Sequence, residues 1–145
     1  MTTIRFKNAT QEDAEAITEC IAAAYSKARE TIADLPDVTA GIEQDISDHR
    51  VVLAVSGTAL AGVVIYAQQG DEMKVFNLAV SPNAQGQGIA GKLLARAEAE
   101  AREVGCTRMV LRTHRLMTDT RAIYAHLGWL ETEVSGNSVA LEKAL

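Results

Sequence analysis

A chain of 145 residues has the length of one domain and is long enough to bury most of its apolar surface. Hydrophobic residues make up 48% and charged residues 23%, the balance of an ordinary globular protein, which excludes a disordered or low-complexity chain. The net charge is −5 with Lys and Arg scattered, no apolar run approaches a membrane span, and Met1-Thr2-Thr3-Ile4-Arg5-Phe6 lacks a signal-peptide pattern, so a cytoplasmic protein without nucleic acid or membrane as partner is expected.

In chain order, residues 4–7 alternate apolar and polar as a short strand does. Thr10 followed by Asp13 resembles a capping box opening a helix that carries Ile17, Ile21, Ala24 and Tyr25. Asp34-Leu35-Pro36-Asp37 is a loop signal, and Val38, Ile42, Asp45 and Ile46 predict a second short helix with one apolar stripe. Residues 51–55 read as a buried strand, Ser56-Gly57-Thr58 as a tight turn and residues 60–68 as the return strand. After Gln69-Gly70-Asp71 a further strand covers residues 73–80. A glycine-rich loop then leads into a long helix with Ile89, Leu93, Ala97, Ala101 and Val104 at helical spacing, closed by Gly105. Residues 109–111 form a strand, Thr118 or Asp119 caps a helix through Leu127, and Gly128 ends it. Two strands around residues 130–134 and 139–141, joined by Ser135-Gly136-Asn137, finish the chain. The order βαα-βββ-αβ-αββ predicts a mixed sheet with one parallel pair, because a strand, helix, strand unit joins parallel neighbours by a right-handed crossover.

Cys20 and Cys106 show no CxxC spacing and are expected to be reduced and buried. His49, His114 and His126 lack metal-ligand spacing, so no metal is expected. The chemistry concentrates at Gln85-Gly86-Gln87-Gly88-Ile89-Ala90-Gly91, between a strand and a helix start. The first turn of a helix has free N–H groups and partial positive charge, and glycines let the backbone approach phosphate oxygens. An anion site is therefore favoured over a plain flexible loop. Gly86-x-Gly88-x-x-Gly91 also spells a dinucleotide fingerprint, but five residues separate Val80 from Gly86 and the next strand ends Leu111-Arg112-Thr113 without the expected acid. Gly86-x4-Gly91-Lys92 spells most of a Walker A motif, but Leu93 stands where Ser or Thr would hold magnesium.

Gln85-Gly86-Gln87-Gly88-Ile89-Ala90 resembles motif A of the GNAT superfamily of N-acetyltransferases, written Q/R-x-x-G-x-G/A. Asn77-Leu78-Ala79-Val80-Ser81-Pro82 looks like that family's fourth strand, and Ala122-Ile123-Tyr124-Ala125-His126-Leu127-Gly128-Trp129 is similar to its A-x-x-x-Y-x-x-x-G-F/W signature, so the resemblance covers roughly the second half of the chain. It implies a single α/β domain with a mixed, mostly antiparallel six- to seven-stranded sheet, helices on both faces, and strands four and five splayed apart. It further implies acetyl-CoA as cosubstrate, with pyrophosphate on Gln85 to Gly91 and pantetheine along Leu78, Ala79 and Val80, gripped by the exposed backbone of Leu78 and Val80. Tyr124 occupies the family's general-acid position. Arg112 stands where many relatives carry a base Glu and Met117 where they often carry Asn, which leaves Glu72, at the entry to strand four, or a water chain as candidate base. On the substrate side, Tyr25, Asp34, Asp37, Glu43, Asp45 and Asp48 form an acidic stretch that would attract a cationic small-molecule amine. A protein or peptide acceptor and a non-catalytic acyl-CoA-binding module are the alternatives, and the C-terminal hairpin offers an edge strand for a homodimer.

Overall fold

The computed structural model describes residues 3–35, 37 and 39–145, so Pro36 of the predicted loop and Val38 of the predicted second helix lie outside the described residues. Strand β1 (Ile4–Asn8) leads to a capped turn in which Asp13 Oδ2 accepts the Thr10 N–H at 2.8 Å, and α1 (Ala14–Thr31) follows. Helix α1 turns Ala14, Ile17, Cys20 and Ile21 inward, a spacing of three and four residues that makes one buried stripe. After α2 (Ile42–Asp48) come β2 (Arg50–Ser56), β3 (Ala59–Gln69) and β4 (Glu72–Val80), then α3 (Ile89–Glu103), β5 (Arg108–His114), α4 (Thr118–His126), β6 (Leu130–Ser135) and β7 (Ser138–Ala144). This is the predicted order. The N-cap of α4 is Met117, with Thr118 as the first helical residue, one position before the predicted cap.

Seven strands form one sheet in the order β1-β2-β3-β4-β5-β7-β6, antiparallel except for β4 and β5. Helices α3 and α4 cover one face over a core that includes Tyr66, Val75, Leu93, Met109, Leu111, Tyr124, Trp129 and Leu141. On the other face Ile17 and Ile21 of α1 and Ile42 of α2 pack on Leu53, Val63 and Ile65 of the β2 and β3 half of the sheet. Strand β6 lies at the sheet edge with Leu130 and Val134 exposed.

Gly62 sets how closely α3 sits on this sheet. A Cβ there would stand 3.0 Å from the Ala79 carbonyl oxygen and 3.1 Å from Ile89 Cγ2 and Leu93 Cδ1. Only glycine lets the first two turns of α3 press against β3 beside the end of β4.

Candidate active site

Strands β4 and β5 are hydrogen-bonded over Glu72, Met73 and Lys74 against Arg108, Met109 and Val110, and then separate. β5 continues to His114 with β7 as partner, while β4 keeps only β3. An opening results between two parallel strands of one sheet. A β-bulge lies in β4 at this place. Ile65 pairs with Asn77 but Tyr66 pairs with Val75, so Phe76 is an extra residue. The bulge reverses the alternation of side chains. Met73 and Val75 point into the α3 core, whereas beyond Phe76 it is Asn77 and Ala79 that point away from it, Ala79 into the α1 core.

The same register decides which backbone groups face the opening. Ser81 donates its N–H to Ala61 O at 2.8 Å, so the odd-numbered residues at this end of β4 bond to β3. The N–H and C=O of Leu78 and Val80 therefore point into the opening without a strand partner. Ala79, expected beside them, turns its carbonyl toward Gly62 and its side chain into the α1 core, so it lies behind the edge.

At the end of this edge the loop expected to hold phosphate reaches α3. Gly88 is the N-cap with φ 74°, and Gly86 has φ 81°, backbone geometry that side chains with a Cβ rarely adopt. The first intrahelical bond runs from Lys92 N to Gly88 O at 3.1 Å, which leaves the N–H groups of Ile89, Ala90 and Gly91 without helical acceptors. A Cβ on Gly86 or Gly88 would meet nothing within 4 Å, so these glycines are required by conformation and the space in front of them is open. The loop and the free edge of Leu78 and Val80 together offer amides to an elongated ligand with a phosphate end, the shape expected of coenzyme A.

Tyr124 enters from the α3 and α4 face, buried, with its ring 5.7 Å from that of Trp129. Burial pushes its phenol far above the usual tyrosine range, and the nearby Tyr25 phenol pushes it further. Tyr25 comes from α1 on the opposite face, donates to Asn77 Oδ1 at 3.4 Å, and is itself raised by burial.

Glu72, the candidate base, is not brought to this place. It is ion-paired with Arg108 where the strands are still joined, eight residues before Val80. That is roughly 25 Å along the strand. On the α1 side of the sheet a groove of about 400 Å³ runs from β4 across β5 and β7 to β6, lined among others by Glu72, Lys74, Arg112, Glu133 and Glu142. His114 Nδ1 accepts the Leu116 N–H at 3.1 Å, so Nε2 carries the proton and donates to Asp34 Oδ1 at 2.7 Å, and Asn137 Nδ2 donates to Asp34 Oδ2 at 2.6 Å. Asn137 first and His114 second hold the Asp34 carboxyl below its usual range. Three of the other acidic residues of the expected substrate side are also engaged within the chain: Asp37 by Thr39, Asp45 by His49 at 3.8 Å, and Asp48 by Gln44 at 2.6 Å. Sequence reasoning had no signal for the bulge, for the pairing of Glu72 with Arg108, or for Lys74 on the groove.

The sequence model of the acetyltransferase (GNAT) family matches residues 14–129. No curated protein matches the sequence. Among solved structures, the chain is similar to the PaiA N-acetyltransferase from Thermoplasma acidophilum in complex with coenzyme A, at TM-score 0.86 and 18% identity over 99% of both chains. It is similar to a GNAT-family acetyltransferase from Desulfovibrio desulfuricans at TM-score 0.82 and 16% identity, over 98% of this chain and 99% of that one. It also resembles the ribosomal-protein-S18-alanine N-acetyltransferase from Escherichia coli at TM-score 0.80 and 17% identity, over 98% of this chain and 94% of the other. At these identities the structures speak for the fold, while the family match spans most of the sequence and includes the glycine loop and Tyr124. The chain belongs to the acetyltransferase (GNAT) family.

Proposed function

We propose that the protein is an acetyl-CoA-dependent N-acetyltransferase that acts on the primary amine of a small molecule by direct attack through a tetrahedral intermediate. The observation that carries this reading is the parted pair β4 and β5, with Leu78 and Val80 offering backbone groups into the gap and the glycine loop at its end. Leu78 and Val80 would bond pantetheine as a neighbouring strand would, and the amides from Gly86 to Gly91 would hold the pyrophosphate. The bound thioester supplies the acetyl group.

An alkylamine near pKa 10.4 is mostly protonated at pH 7, and losing that proton costs about 4 to 5 kcal/mol. Glu72 is occupied by Arg108, so the proton leaves to water in the open groove. The amine nitrogen then forms a bond to the acetyl carbon, and the carbon–sulfur bond breaks. Tyr124 Oη gives its proton to the departing sulfur, and the proton lost from the new amide nitrogen restores the phenol. A phenol whose ionisation is pushed upward holds that proton throughout the neutral range.

Calorimetry with acetyl-CoA, followed by transfer assays on an amine panel, tests the reading. Micromolar binding and transfer are expected, with Tyr124→Phe lowering kcat about a hundredfold while the acetyl-CoA Kd stays the same. Absence of acetyl-CoA binding overturns it. Binding without turnover, with Tyr124→Phe indifferent, would instead mark a non-catalytic acyl-CoA module.

A further inference from the structure

Resting on that reading, we propose that the acceptor amine also carries a carboxylate, and that Lys74 and Arg112 hold this carboxylate at the fork where β4 and β5 part. Lys74 pairs with Val110 in the last rung before the strands separate, and Arg112 follows two residues later on β5. Both lie on the α1 side of the sheet, because the inward residues of β5 are Met109 and Leu111 and those of β4 before the bulge are Met73 and Val75. Both line the groove.

The charges of that groove are unequally committed. Glu72 is taken by Arg108, Glu142 lies 4.0 Å from the same guanidinium, and Glu133 lies 3.5 Å from Arg112. Lys74 makes no ion pair among the described residues. Its ammonium stands 5.2 Å from the centroid of the Phe76 ring, and Phe76 is stacked on His49 at 4.5 Å. This contact leans the Lys74 head along the strand, over the bulge and toward the opening. Arg112 is oriented by a 3.0 Å bond from Nη1 to Ser138 Oγ, and its exposed pair with Glu133 is of the weak surface kind.

A half-buried lysine on β4 and an arginine on β5, one on each side of the fork, suit a planar, singly charged acid, which can bond bidentately to arginine while the lysine acts as a point charge. A phosphate dianion is less suited, since Glu72, Glu133 and Glu142 line the same groove. Roughly 10 Å of strand separates Lys74 from Leu78 once the bulge is allowed for. The lysine stem spans part of that distance, so an anchored carboxylate leaves an amine a few bonds away at the opening. An amino acid or a similar aminocarboxylate has this form. The assignment departs from the cationic acceptor expected from the acidic stretch, whose aspartates are bonded within the chain.

The test compares matched pairs: amino acids, including β-alanine and γ-aminobutyrate, against their amides, for acetyl transfer and, by calorimetry without coenzyme, for binding of the N-acetylated acids and amides. We expect the acids to be favoured about tenfold or more in kcat/KM, chiefly through KM, and the N-acetylated acids to bind more tightly than the amides. Lys74→Gln should bring both ratios close to one, and Lys74→Glu should invert the preference toward diamines. The acetyl-CoA Kd, unchanged in both variants, verifies folding. Amides used as well as acids, a preference that survives both variants, or acetyl-CoA binding without transfer to any panel member would overturn the carboxylate anchor. Failure of acetyl-CoA to bind at all would overturn the proposed function itself.

Discussion

Tyr25, Tyr66 and Tyr124 are the three tyrosines of the chain, and burial raises the phenol of each. Tyr66 is pushed up to about 12, by burial first and then by Glu100, whose Oε1 accepts its hydroxyl at 3.0 Å. A raised folded-state value means that stability is fully present below the ordinary tyrosine range and is lost as pH rises through the raised values. Tyrosinate absorbance should therefore be nearly absent from the native protein at about pH 10, where the unfolded chain is half-ionised, and should appear together with unfolding. A tyrosine titrating normally in the native protein would contradict the burial of one phenol at the opening or in the core. Tyr124 was legible in the sequence because its helix and the following Gly128-Trp129 lie within six residues. The bond from the Tyr25 phenol to Asn77 was not, because nothing local to α1 says which strand it will meet.

Elements were legible where their signals are local. Caps, turn residues and apolar spacing located five of the seven strands to within a residue, while β5 and β7 run three residues beyond their expected ends. The bulge at Phe76 had no such signal, since a bulge is a mismatch of register between two strands and neither strand contains it alone. The seating of α3 is of the same kind. Gly62→Ala should cost about 1 to 3 kcal/mol in chemical denaturation and weaken acetyl-CoA binding tenfold or more, because the added methyl must displace either the Ala79 carbonyl or the first turns of α3. Gly91→Ala, whose Cβ would meet only Leu127 at 3.5 Å, should leave stability unchanged or raise it by up to about 1 kcal/mol. An equal loss of stability in the two variants would show that helix seating is not what Gly62 provides.

At the scale of the molecule, the contact from Asp34 to His114 and Asn137 joins the connection after α1 to the end of β5 and the turn between β6 and β7, across 80 and 103 residues of sequence. Asp34 has a depressed carboxyl, so its contribution is present above the ordinary aspartate range near pH 4 and is lost as pH falls through the lower folded-state value. Melting temperatures measured between about pH 6 and pH 2 should fall less steeply in Asp34→Asn than in the parent, while Asp13, Asp37 and Glu131, also depressed, lower both curves alike. Parallel curves would mean that the tether does not bear on stability. Glu72 makes the same point for function: in sequence it is a carboxylate at the entry to a strand, and only the pairing of β4 with β5 sets Arg108 beside it. The sequence by itself determined the order of elements and the glycine loop at the start of α3, because capping, helical spacing and left-handed backbone are properties of neighbouring residues, and the family signature marked Tyr124 on α4. The tertiary structure alone decided which backbone groups face the opening and which carboxylates are spent in ion pairs, because these depend on strand register and on contacts between residues far apart in the chain.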